Sequence, residues 1–233
     1  ASAGIGKEFA RQLAEAGVNL VITARREDRL QELASQLQSA HGVTVDCVAA
    51  DLSSSDGAAV VHTFTQEKGI NVDLLVNNAG FGTAGEFVHT TSDKLLGMVQ
   101  VNIASLVELT HLYLPAMHER QLGYILLVGS VNAFMPVPHF AVYSATKAFV
   151  RSFGEALALE CQGTGVTVST VHPGGTSTEF VEVAEMKLES FMEKALMSPK
   201  EVAKIGLSAT HGGVMSTVTG FSNKLTVFFL WLM

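Results

Sequence analysis

The feature that most restricts this chain is a series of five short apolar runs, Val18 to Thr23, Val43 to Ala49, Val72 to Val76, Tyr124 to Gly129 and Val166 to Val171. Each is of strand length, rich in Val, Ile and Leu, and lacks a sustained apolar/polar alternation. Strands of that kind are buried on both faces, which requires a parallel sheet covered by helices on each side. Helical spacing of apolar residues fills the intervals, over Lys7 to Ala16, Arg29 to Ser39, Gly57 to Lys68, Asp93 to His118 and Val142 to Cys161. This βαβα order predicts an α/β fold with a doubly wound parallel sheet, in which ligands bind beyond the carboxyl ends of the strands.

A length of 233 residues suits a single domain covering 1–233, and neither a repeat nor a linker divides it. From about Phe180 onward the chain becomes Met-rich and helical, so residues 179–233 are expected to form a substrate flap and C-terminal segment. The apolar stretch Leu225 to Met233 could cover a core edge, join a dimer contact or touch a membrane surface. It is too short to span a bilayer, no other apolar run reaches about 20 residues, and membrane contact is not expected.

A formal net charge of -7 gives no basic footprint for a phosphate backbone, which argues against nucleic acid as a partner. Cys47 and Cys161 lack metal-ligand spacing and read as free thiols in a reducing, cytoplasmic compartment. The eight histidines form no metal motif; His111 and His118 share a helical face but have no third ligand.

Three segments carry chemistry. Gly4-Ile5-Gly6 opens a helical pattern, a place where free N–H groups can hold phosphate, although a plain glycine turn reads the same way. Asn77-Asn78-Ala79-Gly80 follows the third strand, and its small residues let a flat ligand approach; an ordinary Asn-Gly turn is the alternative. Ser130 ends the fourth strand, and Tyr143 and Lys147 stand four residues apart on the next helix, hence on one face. A tyrosine with a pKa near ~10 is a poor base, but a neighbouring cation favours its phenolate and brings it toward neutrality. Ser130 would then orient the substrate oxygen toward Tyr143.

Taken in order, AlaSerAlaGlyIleGly, NNAG, Ser130, Tyr143-Ser-Ala-Thr-Lys147 and Pro173-Gly174 resemble the short-chain dehydrogenase/reductase family over essentially the whole chain. The resemblance implies a Rossmann-like domain moving a hydride between a nicotinamide cofactor and a carbonyl or alcohol. It assigns Asn102, Ser130, Tyr143 and Lys147 as catalytic. It places Gly4, Ile5 and Gly6 at the pyrophosphate, Asp51 and Leu52 near the adenine, and Asn78, Ala79 and Gly80 beside the adenosine ribose. Tyr143 and Lys147 also touch the cofactor, as do Pro173, Gly174 and Thr178. It further implies a homodimer or homotetramer pairing through the helices Asp93 to His118 and Val142 to Cys161.

Where an acidic residue would bond the ribose of NAD, this chain reads Thr23-Ala24-Arg25-Arg26, and a guanidinium there suits the extra phosphate of NADP. NADP(H) is therefore expected over NAD(H), with Arg25 and Arg26 as its partners; a solvated helix start is the other reading. Relatives of this family begin with a strand ahead of the Gly4 turn, so the first strand is expected to be missing from a truncated sequence. The expected substrate is a lipophilic ketone or 3-oxoacyl group, from the Val, Met, Phe and Leu of Glu182 to Met197. The alternative function is a catalytically silent nucleotide-binding sensor or scaffold.

Overall fold

The computed structural model describes residues 1–179 and 196–232. Its strands are β1 (Leu20–Ala24), β2 (Val45–Ala49), β3 (Leu74–Asn77), β4 (Gly123–Val128), β5 (Val166–His172) and β6 (Ser216–Val218). All strand pairings are parallel: β1 with β2, and β3, β4, β5 and β6 side by side in that order. The five anticipated strands are present within two residues of their expected bounds. β6 is additional, in a region that had shown no strong strand.

Helices α1 (Gly4–Glu15), α2 (Glu27–His41), α3 (Gly57–Glu67), α4 (Ser92–Val99), α5 (Ser105–Arg120), α6 (Ala141–Glu160), α7 (Pro199–His211) and α8 (Phe221–Leu232) complete the described elements, with short 3-10 turns at Phe87–His89 and Val131–Phe134. The expected continuous helix Asp93 to His118 is corrected: a π-turn at Gln100–Ala104 separates α4 from α5. Such turns re-aim a side chain within a helix and recur at functional sites. The run Ser92–Arg120 is long and apolar enough to cross a bilayer by length and composition. Within it, Leu106, Leu109, Tyr113 and Met117 are buried beside Ile125 and Leu127 of β4.

The packing explains why the sequence adopts this order. Ile125, Leu126 and Leu127 of β4 are all fully buried, so consecutive residues face helices on opposite sides of the sheet. On α6 the buried residues Tyr143, Lys147, Val150, Gly154 and Leu157 follow helical spacing and form one inward stripe. β1 and β3 do not pair with each other. A largely apolar cavity of about 600 Å³ lies between them, lined by Leu20, Ile22, Leu74, Val76 and Phe9 among others.

Candidate active site

Arg25, Asp51, Asn78, Ser130 and Pro173 come just after the carboxyl ends of β1, β2, β3, β4 and β5, which brings distant segments to one edge of the sheet. Ser130 comes two residues after the end of β4 and caps the 3-10 turn, its Oγ accepting from the Asn132 amide at 3.2 Å. Its hydroxyl also hydrogen-bonds the Tyr143 side chain. Lys147, one turn further along α6, donates from Nζ to the Val128 carbonyl at 2.8 Å and lies 5.8 Å from the centre of the Tyr143 ring. The spacing of four thus places both groups on the buried face, beside the end of β4.

Asn102 projects from the π-turn into the same cluster. Its Nδ2 donates to the Phe81 carbonyl at 2.9 Å and to Thr146 Oγ1 at 3.0 Å, while its Oδ1 accepts from the Phe81 amide at 3.0 Å. This ties the loop after β3 to α6 and makes Asn102 a positioning residue. Gly80 fits between the partners: a Cβ there would stand 3.0 Å from Asn102 Oδ1 and 3.4 Å from Lys147 Nζ. Pro173 completes this end, its carbonyl accepting from the Val131 amide at 2.9 Å. Gly174 packs directly on Asn223 of α8.

Charge in the cluster is governed by burial. Burial pushes the Tyr143 hydroxyl up to about 12, with the Ser130 hydrogen bond acting against it, and pulls the Lys147 ammonium down to about 8. The expected lowering of the Tyr143 pKa by Lys147 is therefore corrected: desolvation raises it, and the force acting the other way is the Ser130 hydrogen bond. Tyr143 holds its proton at neutral pH, which suits a proton donor.

The other end of the site gathers around α1. Gly4 has φ of 55°, and the α1 N-cap, Ala3, is extended and makes no side-chain cap, so the first-turn N–H groups keep their capacity for an anion. Ile5 packs partly buried against Phe9, Leu126 and Val171. Asn78 lies against the turn, with a Cβ on Gly6 falling 2.7 Å from its Nδ2. The Asn78 segment therefore joins the two ends, while Ala79 and Gly80 are exposed.

Arg26 and Arg29 converge on Glu179, at 3.1 and 2.9 Å. The Ser53 hydrogen bonds, and to a lesser extent the Arg25 charge, hold Asp51 below the usual carboxylate range. Asp51 turns back on Ser53, accepting from its amide at 2.9 Å and its hydroxyl at 2.7 Å, and Leu52 is buried. Thr178 packs its methyl against Gly4. The proposed flap Glu182 to Met197 lies outside the described residues from 182 to 195.

Sequence reasoning missed Arg29, Glu179 and His172. His172 ends β5 fully buried, with Nε2 3.1 Å from Ser216 Oγ and its ring edge-on to Phe134 at 4.9 Å. Burial, helped by the Arg151 and Lys147 charges, pulls it down to about 4, so it is neutral. A histidine inside an apolar strand was the available signal. Among the described residues no group of three or more His, Cys, Asp or Glu side chains could hold a metal ion.

The profile of the short chain dehydrogenase family matches residues 1–188. The chain belongs to that family. A very-long-chain 3-oxoacyl-CoA reductase of Laccaria bicolor is 33% identical over 232 residues, which is 95% of this chain and 66% of that protein's length. The structure of a short-chain dehydrogenase from Sphingobium yanoikuyae in complex with NADPH superposes with a TM-score of 0.88 at 30% identity, covering 100% of this chain and 92% of that one. L-sorbose reductase from Gluconobacter frateurii, complexed with NADPH and L-sorbose, matches with a TM-score of 0.82 at 25% identity, covering 94% of this chain and 91% of that one.

Proposed function

We propose that this chain is an NADP(H)-dependent oxidoreductase that reduces the carbonyl of a lipophilic ketone or 3-oxoacyl group, or oxidises the corresponding alcohol. The observation that carries this reading is the Ser130–Tyr143–Lys147 cluster, in which a protonated tyrosine is hydrogen-bonded to a serine beside a buried lysine. Tyr143 Oη holds the proton that a carbonyl oxygen gains on reduction. Ser130 Oγ orients that oxygen, and the Lys147 ammonium stabilises negative charge as it develops on it.

The residues fit a dinucleotide. The α1 turn offers uncapped N–H groups, Gly80 leaves room beside Lys147, and Arg26 and Arg29 supply the cationic pair that a 2'-phosphate requires. When bound, the nicotinamide would supply or accept the hydride. NADPH in the Sphingobium and Gluconobacter structures supports NADP(H), and the name of the Laccaria relative supports a 3-oxoacyl substrate. Exposed Leu96 on α4 and Phe149 and Leu159 on α6 support a homodimer or homotetramer that pairs through these helices. Free Cys47 and Cys161 support a reducing, cytoplasmic compartment.

The test follows NADPH oxidation against a panel of lipophilic ketones and 3-oxoacyl thioesters. The wild type is expected to turn over, and Tyr143→Phe to lose about 10²-fold or more in kcat. NADPH binding without turnover across the panel would instead assign a nucleotide sensor.

A further inference from the structure

Glu179 and the two arginines at the start of α2 are about 150 positions apart in sequence, yet one carboxylate meets both guanidinium groups. Oε2 takes Arg26 at 3.1 Å and Oε1 takes Arg29 at 2.9 Å, and Arg26 also reaches Ser2 Oγ at 3.5 Å. Two guanidiniums converging on separate oxygens of one anion is the arrangement that a phosphate monoester also satisfies. A cavity of about 320 Å³ lies alongside, lined by Ser2, Gly4, Lys7, Arg29 and Glu179 among others. The preceding residue, Thr178, lays its methyl on Gly4. One two-residue segment thus lies against both anion-attracting features of this end, the α1 turn and the arginine pair.

We infer that Glu179 is an internal competitor for the 2'-phosphate of the cofactor, a carboxylate that neutralises Arg26 and Arg29 and must leave when NADP(H) binds. This rests on the NADP(H) reading above. The arginine and glutamate side chains are all about 45% exposed, so the ion pairs are weak enough to be displaced by a more highly charged anion. Glu179 therefore lowers affinity for the phosphorylated cofactor alone, because a dinucleotide without the 2'-phosphate has no need of the arginines. It acts as a specificity-determining residue at the cofactor end, against Arg26 and Arg29.

The experiment titrates wild type, Glu179→Gln and the Arg26→Ala/Arg29→Ala double variant with NADPH and with NADH, reading Kd from nicotinamide fluorescence without substrate. Glu179→Gln is expected to tighten NADPH by about 3- to 10-fold and to leave NADH within about twofold, as two weak pairs are released. The double variant is expected to weaken NADPH by about tenfold or more. If the double variant weakens NADPH but Glu179→Gln leaves it unchanged, weakens it, or tightens NADH equally, the competitor role is overturned and the cofactor reading stands. If the double variant leaves NADPH binding untouched, the cofactor reading falls and the competitor role with it.

Discussion

Asn102 and Phe81 are joined by two hydrogen bonds, the side-chain amide of one reproducing a backbone pairing with the other. The loop after β3 has no strand partner at this point, so Asn102 supplies what a sheet would. Asn102→Ala leaves the Phe81 amide and carbonyl unpaired and removes one donor from the Thr146 hydroxyl, which keeps its bond to the Tyr143 carbonyl. The expected loss is about 1–3 kcal/mol by urea unfolding, since the two orphaned Phe81 groups are part-buried and each costs toward the low end of the range for a buried group. A loss under about 1 kcal/mol would show that the loop is held by something else.

Lys147 makes the active site expensive to fold, and the pH dependence of stability exposes this. Its folded pKa of about 8 lies below its ordinary 10.5, so the unfolded chain binds more protons between those values and stability recovers as pH rises through that window. Tyr143 acts oppositely: raised from 10.0 to about 12, it loses stability as pH rises from 10 toward 12. Lys147→Met keeps the apolar stem and removes the buried charge. It is expected to gain about 1–2 kcal/mol at pH 7, where the full penalty operates, and to lose turnover. Thermal melts at pH 7 and pH 9.5 check this: the variant's advantage should shrink at the higher pH, and an advantage that grows would contradict the assignment.

Gly129 precedes Ser130, and a Cβ on it would overlap His172 Nδ1 and stand 2.8 Å from Cε1. His172 has no room to retreat, being fully buried against Phe134. Gly129→Ala should therefore shift Ser130 relative to Tyr143. We expect a kcat loss of about 10- to 100-fold with NADPH Kd nearly unchanged, as for a misplaced reacting group. Equal losses in kcat and in cofactor affinity would instead indicate general disruption.

How much of this was legible in sequence differs from residue to residue. The buried strands declared themselves because residues such as Ile125 to Leu127 must be apolar on both faces, whereas β6 has only Ser216, Thr217 and Val218 and no pattern to read. The spacing of Tyr143 and Lys147 fixed a shared face but carried nothing about burial, so the sign of the Tyr143 shift was out of reach. Asn102 stood out as a poor residue within a helix, yet a π-turn displaces the helical period too little to be foreseen. Glu179 had no local signal, because its partners are the α2 N-cap Arg26 and Arg29 within α2, and only the closed fold unites them.

The attitude of α6 to the sheet depends on Gly154, which places α6 directly on β5. A Cβ at Gly154 would overlap Thr170 Oγ1 and stand 2.9 Å from Leu127 Cδ1, in a region where Thr170 and Leu127 are both buried. Gly154→Ala on an ordinary exposed helix would stabilise by about 1 kcal/mol. Here overpacking wins, and a net loss of about 1–3 kcal/mol is expected. Tyr143 and Lys147 ride on the same helix two to three turns away, so a displaced α6 also carries them from Ser130. Thr170→Ala removes the overlapping hydroxyl, and the double variant should recover at least half of the lost stability and part of the turnover. Additive losses in the double-mutant cycle would mean that Gly154 and Thr170 do not set the distance between α6 and β5.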